Sequence, residues 1–198
     1  MPGNYVDPKS LVDASKISPY IATFNPQLTV IPADELKSHE VVGAMVYGGS
    51  YFDVQHSVRR FYRSDNLKAQ VTQLDKANMP YAMYVSVRAS NVTEAKQECN
   101  ALWYVVSKYP PKLGLWLRIE TRKPKGITNQ IIEQYYTYIT KWGMKDNCGL
   151  YVKQSDFEYF SWEQFYERFF LWYVDPVSSM QDIYNILLTP EFFQLKGH

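Results

Sequence analysis

The amino-acid sequence predicts a single α/β domain built on a mainly parallel sheet. Apolar, strand-like runs alternate with segments of helical period, which is typical of right-handed βαβ units. The strand-like runs are apolar almost throughout, as expected when both faces of a sheet are covered. No internal repeat, linker or low-complexity stretch divides the 198 residues. We therefore treat 1–198 as one domain, of a size that can bury a substantial core.

Six short runs rich in apolar and β-branched residues predict the strands. In chain order they are 10–15, 41–49, 79–87, 113–120, 148–152 and 169–175. Glycine or proline lies at the ends of several runs, among them Gly114 and Pro176. Such residues interrupt regular structure, so each run is expected to be one separate strand.

Helical periods fill the intervals between these runs. The predicted helices cover 65–78, 91–110 and 128–143, with a weaker one at 162–170. Asp65 is the expected N-cap of the first helix, and Asn91 with Glu94 three residues later predicts a capping arrangement for the second. Gly143 follows the third helix and is a suitable C-terminal stop.

Charge and hydropathy exclude several classes of function. The net charge is +1 and no basic stripe is present, so no nucleic-acid partner is expected. The apolar runs are too short to span a bilayer, which excludes membrane insertion. Residues 1–13 lack a basic segment followed by an apolar one, so we expect no signal peptide and synthesis in the cytoplasm.

Metal and cofactor chemistry also lack a sequence signal. His39, His56 and His198 are scattered, and Cys99 and Cys148 show no metal-ligand spacing. The two cysteines are expected to be free, buried thiols. No glycine-rich phosphate loop follows a strand, so no cofactor is predicted, and an open doubly wound sheet and a closed barrel both remain. No GxSxG motif is present, which argues against a serine hydrolase.

Motifs along most of the chain resemble one known family. The relevant stretches are "VDASK" (12–16), "VVGAMVYGGSYFD" (41–53), "PYAMYVSVRASNVTEAKQEC" (80–99), "LGLWLRIE" (113–120), "CGLYVKQSDFEYF" (148–160) and "FLWYVD" (170–175). Their order is similar to that of the lysozymes of glycoside hydrolase family 25. Those enzymes are small, irregular (β/α) barrels that cut the glycan strands of peptidoglycan. The resemblance implies an irregular, TIM-like (β/α) barrel, and it leaves the role of 178–198 open.

The resemblance also implies a set of site residues near the C-terminal ends of strands, where barrels carry their active sites. Glu120 matches the family's proton donor in an Asp-x-Glu motif, and Asp13 matches its first acidic residue. Arg118 stands where the motif has Asp. The expected substrate-binding residues are Tyr84, Arg118, Tyr151, Trp172 and Asp175. Trp172 either lines the cleft or fills the barrel.

Arg118 argues against catalysis by Glu120. Residues i and i+2 of a strand face the same way, so the two side chains are expected to meet. A neighbouring guanidinium favours the ionised form of a carboxylate, whereas a glycosidase acid must carry a proton. We therefore predict a degenerate module that binds peptidoglycan glycan without cutting it. The alternative is an active muramidase with Glu120 as acid and Asp13 as its partner, with Arg118 turned towards a substrate carboxylate.

The resemblance implies a setting for such a domain as well. Domains of this kind occur in phage lysins and in phage tails or tail-like particles, so other proteins of a particle are expected as partners. One stretch lies outside this interpretation. "SVRRFYR" (57–63), next to His56, forms a local basic and aromatic patch. It is expected to be a solvated surface or a contact for a partner.

Overall fold

A computed structural model shows one mixed sheet. It describes residues 20–24, 26–27, 31, 37, 41–54, 58–174 and 186–187. In these residues the strands are β1 (Tyr20–Phe24), β2 (Val41–Val54), β3 (Val58–Arg63), β4 (Tyr81–Val87), β5 (Leu115–Ile119), β6 (Cys148–Lys153), β7 (Phe170–Val174) and β8 (Ile186–Leu187). They are ordered β7-β6-β5-β4-β2-β1-β8, with β3 paired to β2. Neighbours from β1 to β7 along this order are parallel, as predicted.

Three α-helices of the described chain connect these strands: α1 (Leu67–Lys76), α2 (Val92–Lys108) and α3 (Lys125–Lys141). Two 3₁₀ segments follow at Gln154–Tyr159 and Trp162–Gln164. All three helices bury their apolar stripes in the same core cluster, so they cover the same face of the sheet. This one-sided winding is that of a (β/α) barrel wall rather than a doubly wound sheet. Closure of the wall into a barrel stays a prediction.

The helix ends agree in part with the predicted capping. The Asn91 side chain accepts a hydrogen bond from the Glu94 backbone N–H at 3.0 Å, and Glu94 Oε2 accepts from the backbone N–H of Ser90 at 2.7 Å. Gly143, with φ of +77°, ends the third helix as expected. The assignment of Asp65 was wrong, because α1 begins one residue later and Asn66 occupies the N-cap, with no side-chain hydrogen bond to the first turn of the helix.

Some predicted elements differ from the structure where segments distant in the sequence pack together. Residues 162–170 do not form the weak helix expected there: a short 3₁₀ turn ends at Gln164, and β7 begins at Phe170. Phe165 and Phe169 are instead buried, which holds this aromatic segment against the core. The sequence also did not indicate β1 or the antiparallel β2–β3 ribbon. The predicted strand at 10–15 lies outside the described residues.

The two faces of the sheet contain different side chains. The helical face is largely aliphatic and includes Leu115, Leu117 and Ile119 of β5. The opposite face, here called the aromatic face, is a separate buried cluster of Met45, Ala82, Tyr84, Trp116 and Trp172, with Tyr47, Leu113, Tyr151 and Phe170 packed against it. Side chains of a strand alternate between faces, so β5 contributes to both clusters.

Two further expectations can be checked on the described chain. Cys99 and Cys148 are both free and buried, as predicted. Burial raises the pKa of the Cys99 thiol, and the neighbouring Glu98 raises it further, which keeps this sulfur protonated and unreactive. None of the described helices combines the length and the apolar character needed to cross a membrane.

Candidate functional site

Glu120 lies directly after β5, at the edge of the sheet where the parallel strands end. Its backbone N–H donates to the carbonyl oxygen of Val87, the last residue of β4, at 3.1 Å. Carboxyl ends of parallel strands meet at one edge, so side chains that follow β4 and β5 are brought together. Glu120 therefore occupies the place in which a barrel enzyme carries its reactive groups.

The carboxylate of Glu120 is surrounded by donors. Its Oε1 accepts a hydrogen bond from Ser86 Oγ at 3.0 Å and lies 3.1 Å from Arg118 Nε. Its Oε2 accepts from Arg88 Nε at 2.7 Å. The side chain is 21% exposed, so the group is partly withdrawn from solvent. Two guanidinium groups and a hydroxyl thus satisfy both oxygens of the carboxylate.

The ion pair with Arg118 is the one expected from the sequence, but Ser86 and Arg88 were missed as its partners. Ser86 lies near the end of β4, where it is aligned with Arg118 across the β4–β5 pair, and Arg88 directly follows this strand. The alternation along "YVSVR" places Ser86 on the same face as Tyr84, and this signal could have identified it. Arg88 lies beyond the regular strand, so its reach to Glu120 is a property of the folded chain.

The buried carboxyl group of Glu98 contacts the backbone of Arg88. Glu98 on α2 is 2% exposed. Its Oε2 accepts a hydrogen bond from the Arg88 backbone N–H at 3.3 Å and another from Tyr135 Oη on α3 at 2.5 Å. A buried polar group of this kind needs hydrogen-bond partners. One partner here belongs to the backbone that follows β4, and the other is on α3. The network joins two helices to the segment that carries Arg88.

Ser50 joins Ser86 and Glu120 in a row of polar side chains at this edge of the sheet, here called the polar row. It is aligned with Ser86 in the parallel β2–β4 pair, beyond a register shift between Tyr47 and Gly49. Its Oγ is buried, and within the described residues it has no hydrogen-bond partner. Ser50, Ser86 and Glu120 therefore come from three neighbouring strands at the same edge.

Aromatic rings continue from this polar row into the aromatic face. The Arg118 guanidinium lies 5.4 Å from the centre of the Tyr151 ring, which is within cation–π range. Tyr151 stacks on Trp172 with ring centres 4.3 Å apart, and Tyr84 meets both rings edge-on. The site is thus a charged cluster next to a continuous layer of rings.

Of these three rings, Tyr84 and Trp172 are buried and Tyr151 is partly exposed. Tyr84 is buried, and this burial, with Tyr151 next in effect, raises the pKa of its phenol. It therefore remains a neutral hydroxyl at physiological pH. Trp172 is 4% exposed, so it fills the interior rather than presenting a face to solvent. Tyr151 is partly exposed and is the ring of this group that a ligand can reach.

Two predicted site residues, Asp13 and Asp175, lie outside the described residues. Their roles remain predictions, as do the substrate-binding roles of Tyr84, Arg118, Tyr151 and Trp172. The described part of the chain contains no cluster of three or more His, Cys, Asp or Glu side chains suited to a metal ion. What is assembled here is one carboxylate with two cations, a hydroxyl and a layer of rings.

Comparison with solved structures relates this arrangement to known folds. No protein-family model matches the chain, and no curated protein matches it in sequence. The endolysin CTP1L aligns with a TM-score of 0.64 at 15% identity, over 79% of this chain and 52% of that one. A glycosyl hydrolase 25 of Streptococcus pneumoniae that participates in host cell invasion aligns with a TM-score of 0.56 at 24% identity, over 73% and 63%.

The modular autolysin LytC of Streptococcus pneumoniae, solved with a synthetic peptidoglycan ligand, gives a TM-score of 0.58 at 16% identity, over 69% of this chain. The present chain spans 33% of LytC and about half of CTP1L. Identities this low establish a shared fold and not a shared activity. The resemblance to glycoside hydrolase family 25 is therefore confirmed at the level of the fold.

Proposed function

We propose that this chain is a lysozyme-like module that binds peptidoglycan glycan strands without hydrolysing them. The observation that carries the proposal is the set of contacts around Glu120. A glycosidase acid must give a proton to the leaving oxygen. Both oxygens of Glu120 are instead engaged by two guanidinium groups within 3.1 Å, so neither oxygen is presented to a leaving group.

The layout of charges supports binding rather than cleavage. Glycoside hydrolysis requires two carboxyl groups on either side of the scissile bond. The position two residues before Glu120, where family 25 carries Asp, is the cation Arg118, and Arg118 points to Glu120. A guanidinium cannot accept a hydrogen bond from a substrate amide or hydroxyl. The described residues of the site therefore supply one carboxylate, and that carboxylate is paired with two guanidinium groups.

Recognition of a glycan is supported by the groups next to this cluster. Sugar rings have apolar faces that pack on aromatic side chains, and their hydroxyls need donors and acceptors. Tyr151 is partly exposed and stacks on Trp172, with the Arg118 guanidinium over its ring. The related autolysin LytC was solved with a peptidoglycan ligand, and the fold is shared. A particle of phage origin is the setting we propose for this module.

An active muramidase is the second candidate. One observation favours it: Glu120 lies at the strand end where barrel enzymes place a catalytic acid, and it keeps 21% of its side chain exposed. In that case Arg88 and Arg118 would leave the carboxylate when substrate binds. Asp13 would then supply the second carboxyl group.

Purified Gram-positive cell walls separate the two candidates. We expect the protein to sediment with the walls and to release no new reducing ends. Tyr151→Ala should lower the affinity for the walls about threefold or more, since a stacked ring contributes on the order of 1 kcal/mol to binding. Tyr166→Ala is the matched control, because Tyr166 is exposed on the segment before β7.

Hydrolysis would contradict the binding module. Release of reducing ends by the unmodified chain that disappears in Glu120→Gln, but persists in Glu163→Gln, would establish the muramidase. Glu163 is a suitable control because it is an exposed glutamate outside the cluster. Activity gained by Arg118→Asp in an otherwise inactive protein would show that the cation at this position is what prevents cleavage.

A further inference from the structure

A concave site lies on the helical side of the sheet, between the β2–β3 ribbon and α2. It has a volume of about 640 Å³, within the usual range of ligand pockets. Its walls include Arg60, Phe61 and Arg63 of β3 and Tyr104 and Lys108 of α2, with Tyr109 after the helix. None of its lining residues takes part in the contacts around Glu120. We call it the ribbon groove.

The ribbon groove is strongly cationic. Three of its lining residues, Arg60, Arg63 and Lys108, carry positive charge, and no lining residue is acidic. The whole chain has a net charge of only +1, so this is a local concentration of charge and not a general excess. Like charges held together repel one another, and an anionic ligand relieves that repulsion.

Tyr109 orients two of these cations. Arg63 Nη1 donates to Tyr109 Oη at 3.3 Å, and its guanidinium carbon lies 5.8 Å from the centre of the same ring. Lys108 Nζ also lies 5.8 Å from this ring. The guanidinium is thereby held in place before any ligand arrives, which lowers the entropic cost of binding.

Aromatic rings line the same groove. Tyr104 is 77% exposed, an unusual state for a ring so large, and it stands on α2 one turn before Lys108. Phe61 is half-buried and supports the opposite wall. Rings of this kind offer flat apolar surfaces to the faces of sugars, while the adjacent cations donate hydrogen bonds to phosphate or carboxylate groups.

We propose that the ribbon groove binds an anionic glycan, meaning a chain of sugar or polyol units that carry phosphate or carboxylate groups. The inference is independent of the function proposed for the Glu120 site, since the two sites share no residue. A neutral glycan would bring no anionic group to the three cations. A nucleic acid would need a longer basic surface than this single groove offers.

Isothermal titration calorimetry on the full chain tests this. The probes are poly(glycerol phosphate) fragments for phosphate, oligogalacturonate for carboxylate, neutral chitohexaose and a single-stranded oligonucleotide of similar charge. We expect at least one of the two anionic glycans to bind, with an affinity that falls as salt is raised. Which of them binds more tightly identifies the anionic group.

Variants of the groove locate the site. Arg60→Gln and Tyr104→Ala should each weaken binding about threefold or more, and the double variant about tenfold, as expected when a charge-assisted bond and a stacked ring are lost. Lys145→Gln and Tyr166→Ala are controls, being an exposed lysine and an exposed tyrosine elsewhere on the chain. These four substitutions are at exposed positions, so the fold should be retained.

Several results would overturn the inference. They are binding of neither anionic glycan, equal binding of chitohexaose, tighter binding of the oligonucleotide, and equal loss of affinity in the control variants. Cell-wall sedimentation with Tyr151→Ala reports on the other site. A failure there leaves this result unaffected, so the two proposals can fail separately.

Discussion

The two faces of the sheet are built from the same strands and yet serve different purposes. On β5, Leu115, Leu117 and Ile119 enter the helical face, whereas Trp116 and Arg118 point to the aromatic face. The first group is aliphatic and sealed by helices. The second passes from buried rings to a charged cluster at the strand end. One strand therefore provides both the packing of the core and the chemistry of the candidate site.

The difference indicates which changes each face can tolerate. On the helical face, side chains interlock with three helices, and lost volume cannot be refilled easily. On the aromatic face the interior part is equally tight, but the strand ends carry polar groups with partial exposure. Stability should therefore depend mainly on the helical face and the ring layer, and binding mainly on the strand ends.

Leu117 and its neighbour Arg118 give the most direct test of this comparison. Leu117 is fully buried against the helices, so Leu117→Ala should reduce the free energy of unfolding by about 2–5 kcal/mol. Arg118→Ala removes a charge that is 31% exposed and should change the free energy of unfolding by about 1 kcal/mol or less. Urea unfolding followed by circular dichroism measures both. Equal losses would show that the two faces do not differ in this way.

Gly149 tests the packing of the ring layer. A Cβ added at this position would lie 2.2 Å from Cε3 of Trp116, whose ring is enclosed by Phe170 and Trp172. Gly149→Ala should therefore cost about 1–3 kcal/mol through overpacking. Gly126→Ala is the control, since nothing lies within 4 Å of its added Cβ, and it should be neutral or slightly stabilising. Thermal unfolding that is unchanged in Gly149→Ala would mean that this layer is loosely packed.

The stability of the protein at high pH tests one buried tyrosine from each face. Burial raises the pKa of Tyr84 on the aromatic face and of Tyr81 on the helical face. A folded-state pKa above the unfolded value means that the stabilisation is complete below about pH 10 and is lost as the pH rises further. The free energy of unfolding should fall by up to about 1.4 kcal/mol per pH unit for each group.

Phenylalanine variants assign this effect to the two rings. Tyr84→Phe and Tyr81→Phe should each make the decline above pH 10 less steep, as measured by urea unfolding at a series of pH values. Absorbance at the phenolate band gives an independent reading of ionisation. Phenols that ionise near pH 10 in the folded protein would contradict the burial of these side chains.

Most of the fold could be predicted from local pattern. The runs that became β4, β5, β6 and β7 are apolar almost throughout, and the helices α1 and α2 show clear periodicity and, for α2, a capping pair. The antiparallel β2–β3 ribbon could not be predicted, because its pairing depends on contacts between segments rather than on either segment alone. For the same reason, residues 162–170 adopt turns: burial of Phe165 and Phe169 outweighs a weak helical pattern.

The candidate site was predictable only in part. Arg118 and Glu120 are two residues apart on one strand, so their meeting follows from alternation. Ser86 and Arg88 are separated from Glu120 by 34 and 32 positions. The ribbon groove likewise joins β3 to α2, and the sequence indicated one half of it as a basic and aromatic patch.

The sequence by itself determined the alternation of strands and helices, the face to which each strand residue points and the cation beside Glu120. These are consequences of periodicity, which depends on neighbours along the chain. The tertiary structure alone decided that all described helices cover one face, that Arg88 and Ser86 complete the shell of Glu120, and that three cations from two elements share a groove. Register and packing set those distances, and they are fixed only when distant segments compete for the same core.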